Sequence, residues 1–161
     1  TPLSDPDILE VPLYYERFLA YISPSDELYS SEYVEASRLD YSRMWILEEG
    51  HCFRDQILNI CHRSLNTYQQ YEAGSIETLI NVVDENGGFT IFPELHLPML
   101  SPEQQKNVRP FSGDEPRREI SLVFRMDFVK EKLLNTIVSS IKSIIPQNMI
   151  DPRLSKMRVK L

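Results

Sequence analysis

Apolar residues along this chain recur with two periods, which predict strands alternating with helices. Short runs rich in β-branched and aromatic residues are typical of buried strands. They predict strands at Ile8–Tyr15, Phe18–Ile22, Met44–Leu47, Tyr68–Glu72, Phe89–Phe92 and Ile120–Phe124. Because these strands alternate with helical segments, the pattern predicts an α/β layered fold with a largely parallel sheet.

Apolar positions three and four residues apart predict the helices. They lie at Val34–Leu39, at Phe53–Cys61, from a Ser75 cap to Gly87-Gly88, and from Asp127 to the residue before Pro146. Proline, glutamine and charged residues predict a loop from Glu94 to Arg117. The basic tail from Gln147 is expected to be loose.

Composition narrows the class of protein. The 161 residues are 42% hydrophobic and 25% charged, which fits one globular domain or two small lobes. A net charge of −7 disfavours nucleic acid as a direct partner, and no apolar run reaches the roughly 20 residues that span a membrane. Two cysteines are too few for a disulfide-framed secreted domain, so we expect the protein to reside in a reducing cytoplasm. The chain starts at Thr1, without Met, and is expected to be a piece of a longer protein.

The cysteine pair is the most informative feature of the sequence. Cys52 and Cys61 lie nine residues apart in GHCFRDQILNIC. Along an α-helix this separation is a rise of about 13.5 Å and a rotation of about 900°. A disulfide needs Cα atoms within about 7 Å. If the segment is helical, a Cys52–Cys61 bond requires the helix to unwind, so such a bond would act as a switch.

The two thiols differ in their expected surroundings. Cys52 lies at the predicted helix start beside His51 and Arg54, where helix N–H groups and positive charge favour the thiolate. A helix terminus contributes roughly 0.3–1 kcal/mol, less than the roughly 1.4 kcal/mol of one pKa unit. A reactive Cys52 therefore needs a further partner, for which Arg117-Arg118 is a candidate. It would attack a peroxide to give a sulfenic acid, which Cys61, on the apolar stripe, would resolve as a disulfide.

Other interpretations of these cysteines stay open. They could be one packed core thiol and one incidental surface thiol. A metal site would use two thiolates and two imidazoles from His51, Cys52, Cys61 and His62, but this spacing is poor for zinc. Catalysis by a thiol peroxidase is a third possibility. His96, between two leucines near prolines, is expected at a loop or a strand end rather than as a ligand.

Several motifs together resemble the peroxide-sensing members of the LysR-type transcriptional regulators. The GHCxRDQ motif at Gly50–Gln56, followed by Cys61, is specific to those members. Further segments match in order and with similar spacing: Glu10–Leu13, Ser75–Leu79, Gly88–Thr90 before Pro93, and Glu115–Ile120 before Leu122-Val123. The resemblance covers about Glu10 to Ile145.

The resemblance implies a function. Cys52 would be the peroxidatic cysteine, and Cys61 would form the intramolecular disulfide that refolds the intervening helix. His51 and Arg118 would hold the thiolate and the peroxide. Such a protein activates antioxidant genes and is not a turnover enzyme; no cofactor or metal is expected. Implied partners are hydrogen peroxide, further copies in dimers and tetramers, RNA polymerase, and a reductant such as glutaredoxin or thioredoxin. The location would be the bacterial cytoplasm, without membrane contact.

The resemblance also implies two Rossmann-like α/β lobes that resemble type 2 periplasmic binding proteins. The expected boundaries are residues 1–19 for the end of lobe I and the crossover, 20–118 for lobe II with the redox switch, 119–145 for the return of lobe I, and 146–161 for the tail. The family's DNA-binding domain and most of lobe I have no counterpart here. We therefore expect this chain to sense peroxide poorly and not to bind promoter DNA by itself.

Two further segments carry weaker predictions. Arg54 and Asp55 are second-tier candidates for orienting the sensing loop, with solvation in a first helical turn as the alternative. Ser75–Leu79 lies where other LysR-type regulators bind small effectors, so an anion site is conceivable there, although capping is the favoured role. The rival functions are a domain that binds a small organic effector, with incidental cysteines, and a thiol peroxidase.

Overall fold

The computed structural model describes residues 5–47, 54, 56–57, 69–70, 74–113 and 115–155. The chain divides into a larger unit, Arg17–Pro116, and a smaller unit formed by Thr1–Glu16 and Arg117–Leu161. The described strands are β1 Ile8–Ile22, β2 Trp45–Ile46, β3 Gln69–Gln70, β4 Phe89–Pro93, β5 Val108–Pro110 and β6 Arg117–Arg125. The described α-helices are α1 Ile76–Asn86, α2 Pro102–Gln105, α3 Glu131–Ile144 and α4 Pro152–Ser155. The 3-10 helices are Glu27–Ser30, Ala36–Arg38, Tyr41–Arg43, Glu94–Met99 and Gln147–Met149.

The long strand β1 organises the main sheet. Its C-terminal part lies between β4 and β5, and β1 also pairs with β6. The pairs with β4 and β5 are both antiparallel, with Leu19 opposite Phe92 and Pro110. Only the short pair of β2 and β3 is a parallel ladder among the strand pairs described. The expectation of a largely parallel sheet is therefore wrong, because continuous apolar runs report burial on both faces and not strand direction.

The larger unit buries both faces of this sheet. Side chains alternate along a strand, so Phe18, Ala20 and Ile22 contribute to one apolar cluster, and Leu19 and Tyr21 to another. Helix α1 contributes to both clusters and ends at Gly87, as predicted. The predicted Ser75 cap is confirmed, since the Ser75 hydroxyl accepts a hydrogen bond from the Thr78 N–H at 3.2 Å.

The smaller unit contains β6, α3 and the N-terminal part of β1. Its buried apolar side chains include Leu13, Leu134 and Val138, the last two from one face of α3. The prediction of a loose tail is wrong for residues 147–155, which form the 3-10 helix Gln147–Met149 and α4. Burial of Met149 and Ile150 accounts for this order.

Several element boundaries differ from those predicted. The predicted strands Ile8–Tyr15 and Phe18–Ile22 are one strand, and the predicted helix at Val34–Leu39 is one 3-10 turn, because Val34 instead bridges Phe111. The helix predicted from Asp127, α3, begins at Glu131, and Asp127 precedes it in an exposed ion pair with Arg125.

The predicted loop from Glu94 to Arg117 contains a 3-10 helix, α2 and β5. A capping box between Ser101 and Gln104 starts α2. No helix within the described ranges is long and apolar enough to cross a membrane.

Candidate functional site

The predicted sensing residues fall into two groups. His51, Cys52, Asp55 and Cys61 lie outside the described residues, as does His62 of the disfavoured metal site. Arg54 and Arg118 are described, and both have surroundings that bear on their expected roles. Within the residues that the structure covers, no three His, Cys, Asp or Glu side chains are grouped to hold a metal.

Arg54 is buried. It is helical and only 3% exposed, and Ile57, three residues further on, is part of the larger unit's apolar core. The alternative that Arg54 is simply solvated in a first helical turn is therefore wrong, because its position on the helix faces the core. Burying a guanidinium is costly unless acceptors compensate its charge, so Arg54 is not an ordinary surface arginine.

Arg118 is anchored by a buried carboxylate. It lies on β6, and its Nε and Nη2 both donate to Oε2 of Glu16 on β1, at 2.8 and 2.7 Å. The Glu16 side chain is 1% exposed and that of Arg118 is 22% exposed. Burial disfavours the charged form of a carboxylate unless a cation compensates it, and Arg118 supplies this charge.

The same carboxylate affects a neighbouring tyrosine. Burial raises the pKa of Tyr14, and the negative charge of Glu16 raises it further, while Arg118 opposes the shift. Tyr14 thus stays protonated through the physiological range. The pair and Tyr14 all belong to the smaller unit.

Sequence reasoning did not single out Glu16. The sequence does contain a signal. Glu16 lies between the apolar runs Ile8–Tyr15 and Phe18–Ile22, and these runs are two separate strands only if Glu16 is exposed to solvent. The structure instead keeps Glu16 within one continuous, buried strand. A carboxylate in such a position requires a cationic partner, and the partner is the arginine already predicted to act in peroxide sensing.

The N-terminus of α1 does not resemble a ready anion site. The Ser75 hydroxyl already accepts the Thr78 N–H, and Glu77 adds a negative charge to the first turn. Its own backbone N–H, the Ser75 hydroxyl and nearby His96 lower the pKa of Glu77. His96 lies in the 3-10 helix Glu94–Met99, with Nε2 3.6 Å from Glu77 Oε1. Ser75 therefore acts as a cap, as favoured.

Comparison with known proteins identifies the family. The protein-family model described as "LysR substrate binding domain" matches residues 1–143 of this chain. The chain therefore belongs to the LysR substrate binding domain family, and its fold is of the type 2 periplasmic-binding class that the sequence predicted.

Within that family the chain is similar to OxyR. It is 32% identical to a mutant OxyR from Porphyromonas gingivalis, whose crystal structure superposes with a TM-score of 0.81 over 92% of this chain and 69% of that chain. The Escherichia coli K12 DNA-binding transcriptional dual regulator OxyR is 35% identical over 121 residues, which are 73% of this chain and 39% of that protein.

A third relative comes from Haemophilus influenzae and is named "Hydrogen peroxide-inducible genes activator". It is 31% identical over 144 residues, 85% of this chain and 47% of that protein. This chain thus spans about half the length, or less, of the curated relatives it matches.

Proposed function

We propose that this chain is the redox-sensing part of an OxyR-type transcription activator that responds to hydrogen peroxide. The observation that carries the proposal is the combination of an OxyR-like fold with the GHCxRDQ motif and its second cysteine. Residues 1–19 and 119–145 are assigned to lobe I, 20–118 to lobe II and 146–161 to the tail. The organic-effector and thiol-peroxidase functions are the competing classes that the experiments below separate.

The proposed chemistry consumes one peroxide per chain. The Cys52 thiolate attacks one peroxide oxygen, the O–O bond breaks, and hydroxide leaves and takes up a proton, which gives water and a Cys52 sulfenic acid. The Cys61 thiol then attacks that sulfur, the S–O bond breaks, and a second water leaves as the disulfide forms. Two thiols lose two electrons and two protons in total, and peroxide is reduced to two waters.

Four other side chains support this reaction in the proposal. His51 and Arg118 stabilise the thiolate and the negative charge that develops on the leaving oxygen. Arg54, which is buried, and Asp55 orient the segment that carries Cys52. If the predicted helix between the cysteines forms, the disulfide requires it to unwind, because nine positions along an α-helix hold two sulfurs too far apart to bond.

The rest of the proposed function belongs to the whole regulator. Refolding of the switch reorganises dimers within a tetramer, and the assembly binds promoter DNA through a separate DNA-binding domain and engages RNA polymerase. A thiol reductant such as glutaredoxin or thioredoxin resets the disulfide in the bacterial cytoplasm. Support for this comes from the relatives of the chain, one of which is named as a DNA-binding transcriptional regulator.

The first experiment counts thiols by intact mass before and after about one equivalent of hydrogen peroxide, in a longer chain that restores the rest of lobe I, because the present chain alone is expected to sense peroxide poorly. We expect the loss of two hydrogens per chain, Cys52 and Cys61 linked in one peptide, and less helical circular dichroism. Cys61→Ser should leave Cys52 oxidisable but block the intramolecular bond. Cys52→Ser should protect Cys61, and equal oxidation of Cys61 in that variant would make the role assignment wrong.

The same preparation distinguishes the competing functions. Thiols that survive the peroxide dose with the rest of lobe I restored would favour the domain that binds a small organic effector, and a thermal-shift screen of small anions would follow. Continued peroxide consumption with a thiol reductant, beyond one disulfide per chain, would favour a thiol peroxidase.

A further inference from the structure

The buried ion pair between Glu16 and Arg118 connects a residue without an assigned role to the proposed sensing chemistry. Glu16 Oε2 accepts from two nitrogens of the same guanidinium, at 2.7 and 2.8 Å. A guanidinium carries five N–H donors in a rigid planar fork. Two contacts along one edge of that fork fix its rotation about the side chain, whereas a single contact would leave the plane free to turn.

Burial makes this anchor persistent. Exposed ion pairs exchange with water and are weakened by salt, so they do not fix a side chain. The Glu16 side chain is 1% exposed, so breaking the pair would remove a cationic partner from a carboxylate buried in the smaller unit. Arg118 therefore stays in one orientation for as long as β1 and β6 remain paired.

We infer that Glu16 is a positioning residue for peroxide sensing, which acts by holding the Arg118 guanidinium in the orientation that its role requires. This inference rests on the proposed function, which assigns Arg118 to the thiolate and peroxide. Glu16 does not touch the reacting atoms in this assignment. Its effect is on how well the Arg118 N–H groups align with charge that develops as the O–O bond breaks.

A neighbouring pair on the same two strands provides a matched control. The Tyr15 hydroxyl donates to Glu119 Oε2 at 2.7 Å, one position away from Glu16 on β1 and from Arg118 on β6. Because side chains alternate along strands, Glu119 and Arg118 project to opposite sides of β6. Glu119→Gln therefore makes the same chemical change as Glu16→Gln without removing the anchor of Arg118.

The test measures the second-order rate of Cys52 oxidation by hydrogen peroxide in the Cys61→Ser chain, followed with a sulfenic-acid trap. We expect Glu16→Ala to slow this rate by about 10- to 100-fold, the usual effect of misplacing a group that stabilises a transition state. Glu16→Gln, which keeps an acceptor oxygen, should recover part of the loss. Glu119→Gln should leave the rate within about twofold of the parent.

A second reagent separates positioning from a structural effect. Iodoacetamide alkylates a thiolate without breaking an O–O bond, so its rate with Cys52 at a pH above the thiol's titration reports access only. We expect Glu16→Ala to change the iodoacetamide rate by less than about twofold while it slows the oxidation of Cys52 by peroxide. Equal losses with both reagents would mean that Glu16 only supports the fold, and the inference would be overturned.

The outcomes distinguish the inference from the proposed function. If Arg118→Lys does not slow the peroxide reaction, the assignment of Arg118 fails and the role of Glu16 fails with it. If Arg118→Lys slows the reaction and Glu16→Ala does not, only the positioning role is wrong. Should Glu16→Ala fail to fold, Glu16→Asp keeps the charge but withdraws the carboxylate by one methylene. We expect this variant also to slow the reaction of Cys52 with peroxide and not its reaction with iodoacetamide.

Discussion

Gly88 is a position where the backbone admits only the smallest side chain. Its φ of +79° is in the left-handed region, and a Cβ there would lie 2.3 Å from the Arg43 carbonyl oxygen. The preceding residue, Gly87, accepts a hydrogen bond from the Trp45 indole N–H at 2.8 Å. The two glycines thus end α1. At Gly88 the backbone lies so close to the segment before β2 that a Cβ would not fit between them.

Substitution of Gly88 should cost more than the left-handed conformation alone. We expect Gly88→Ala to lower the free energy of unfolding by more than about 2 kcal/mol, since strain of about 1–2 kcal/mol adds to a clash with backbone. Gly113→Ala is the matched control, because Gly113 has a φ of +76° but open space around its Cβ. Urea denaturation, followed by Trp45 fluorescence, measures both, and equal losses would contradict the clash.

At the scale of elements, the sequence predicted correctly those features of a helix that depend on residues close together in the chain. The cap of α1, its apolar stripe and its glycine end all lie within residues 75–88, and the structure confirms them. Within β1, Glu16 is instead paired with Arg118, about a hundred residues later in the chain. The cysteine motif could be read directly from the sequence, but the buried anchor of Arg118 could not, because its two partners share no local pattern.

The C-terminal tail illustrates the same limit. Its basic residues predicted a loose segment, yet Met149 and Ile150 are buried in the smaller unit. Two apolar side chains in a short stretch give almost no periodic signal. Their burial nevertheless removes enough apolar surface from water to hold the 3-10 helix Gln147–Met149 in place.

Truncation of Met149 tests whether the tail contributes to stability. We expect Met149→Ala to lower the free energy of unfolding by about 2–5 kcal/mol, the usual cost of removing a buried large side chain. Met99→Ala is the control, because Met99 is 68% exposed and its loss should stay within about 0.5 kcal/mol. Thermal and urea unfolding measure both variants, and a near-zero effect of Met149→Ala would mean that the tail docks without stabilising the unit.

At the scale of the whole molecule, the charge of this chain bears on which part of the proposed regulator binds DNA. A relative of this chain is named as a DNA-binding regulator, but this chain matches only 39% of its length. The chain itself carries 24 acidic and 17 basic side chains. A chain with an excess of acidic side chains is repelled by the phosphate backbone, which is why the proposed function assigns promoter binding to another domain.

This division predicts that the 161-residue chain does not bind DNA. With a net charge of −7, it should leave the fluorescence anisotropy of a labelled duplex unchanged at low salt and at chain concentrations up to about 100 µM, the weak end of nonspecific binding. A polylysine peptide serves as the positive control. Binding that weakens steeply with added salt would contradict the prediction and point to the basic residues Arg153, Lys156, Arg158 and Lys160. Replacing those four residues with neutral ones would then abolish the salt-sensitive binding. Binding that does not depend on salt would instead require contacts with the bases, which this acidic chain is not expected to make.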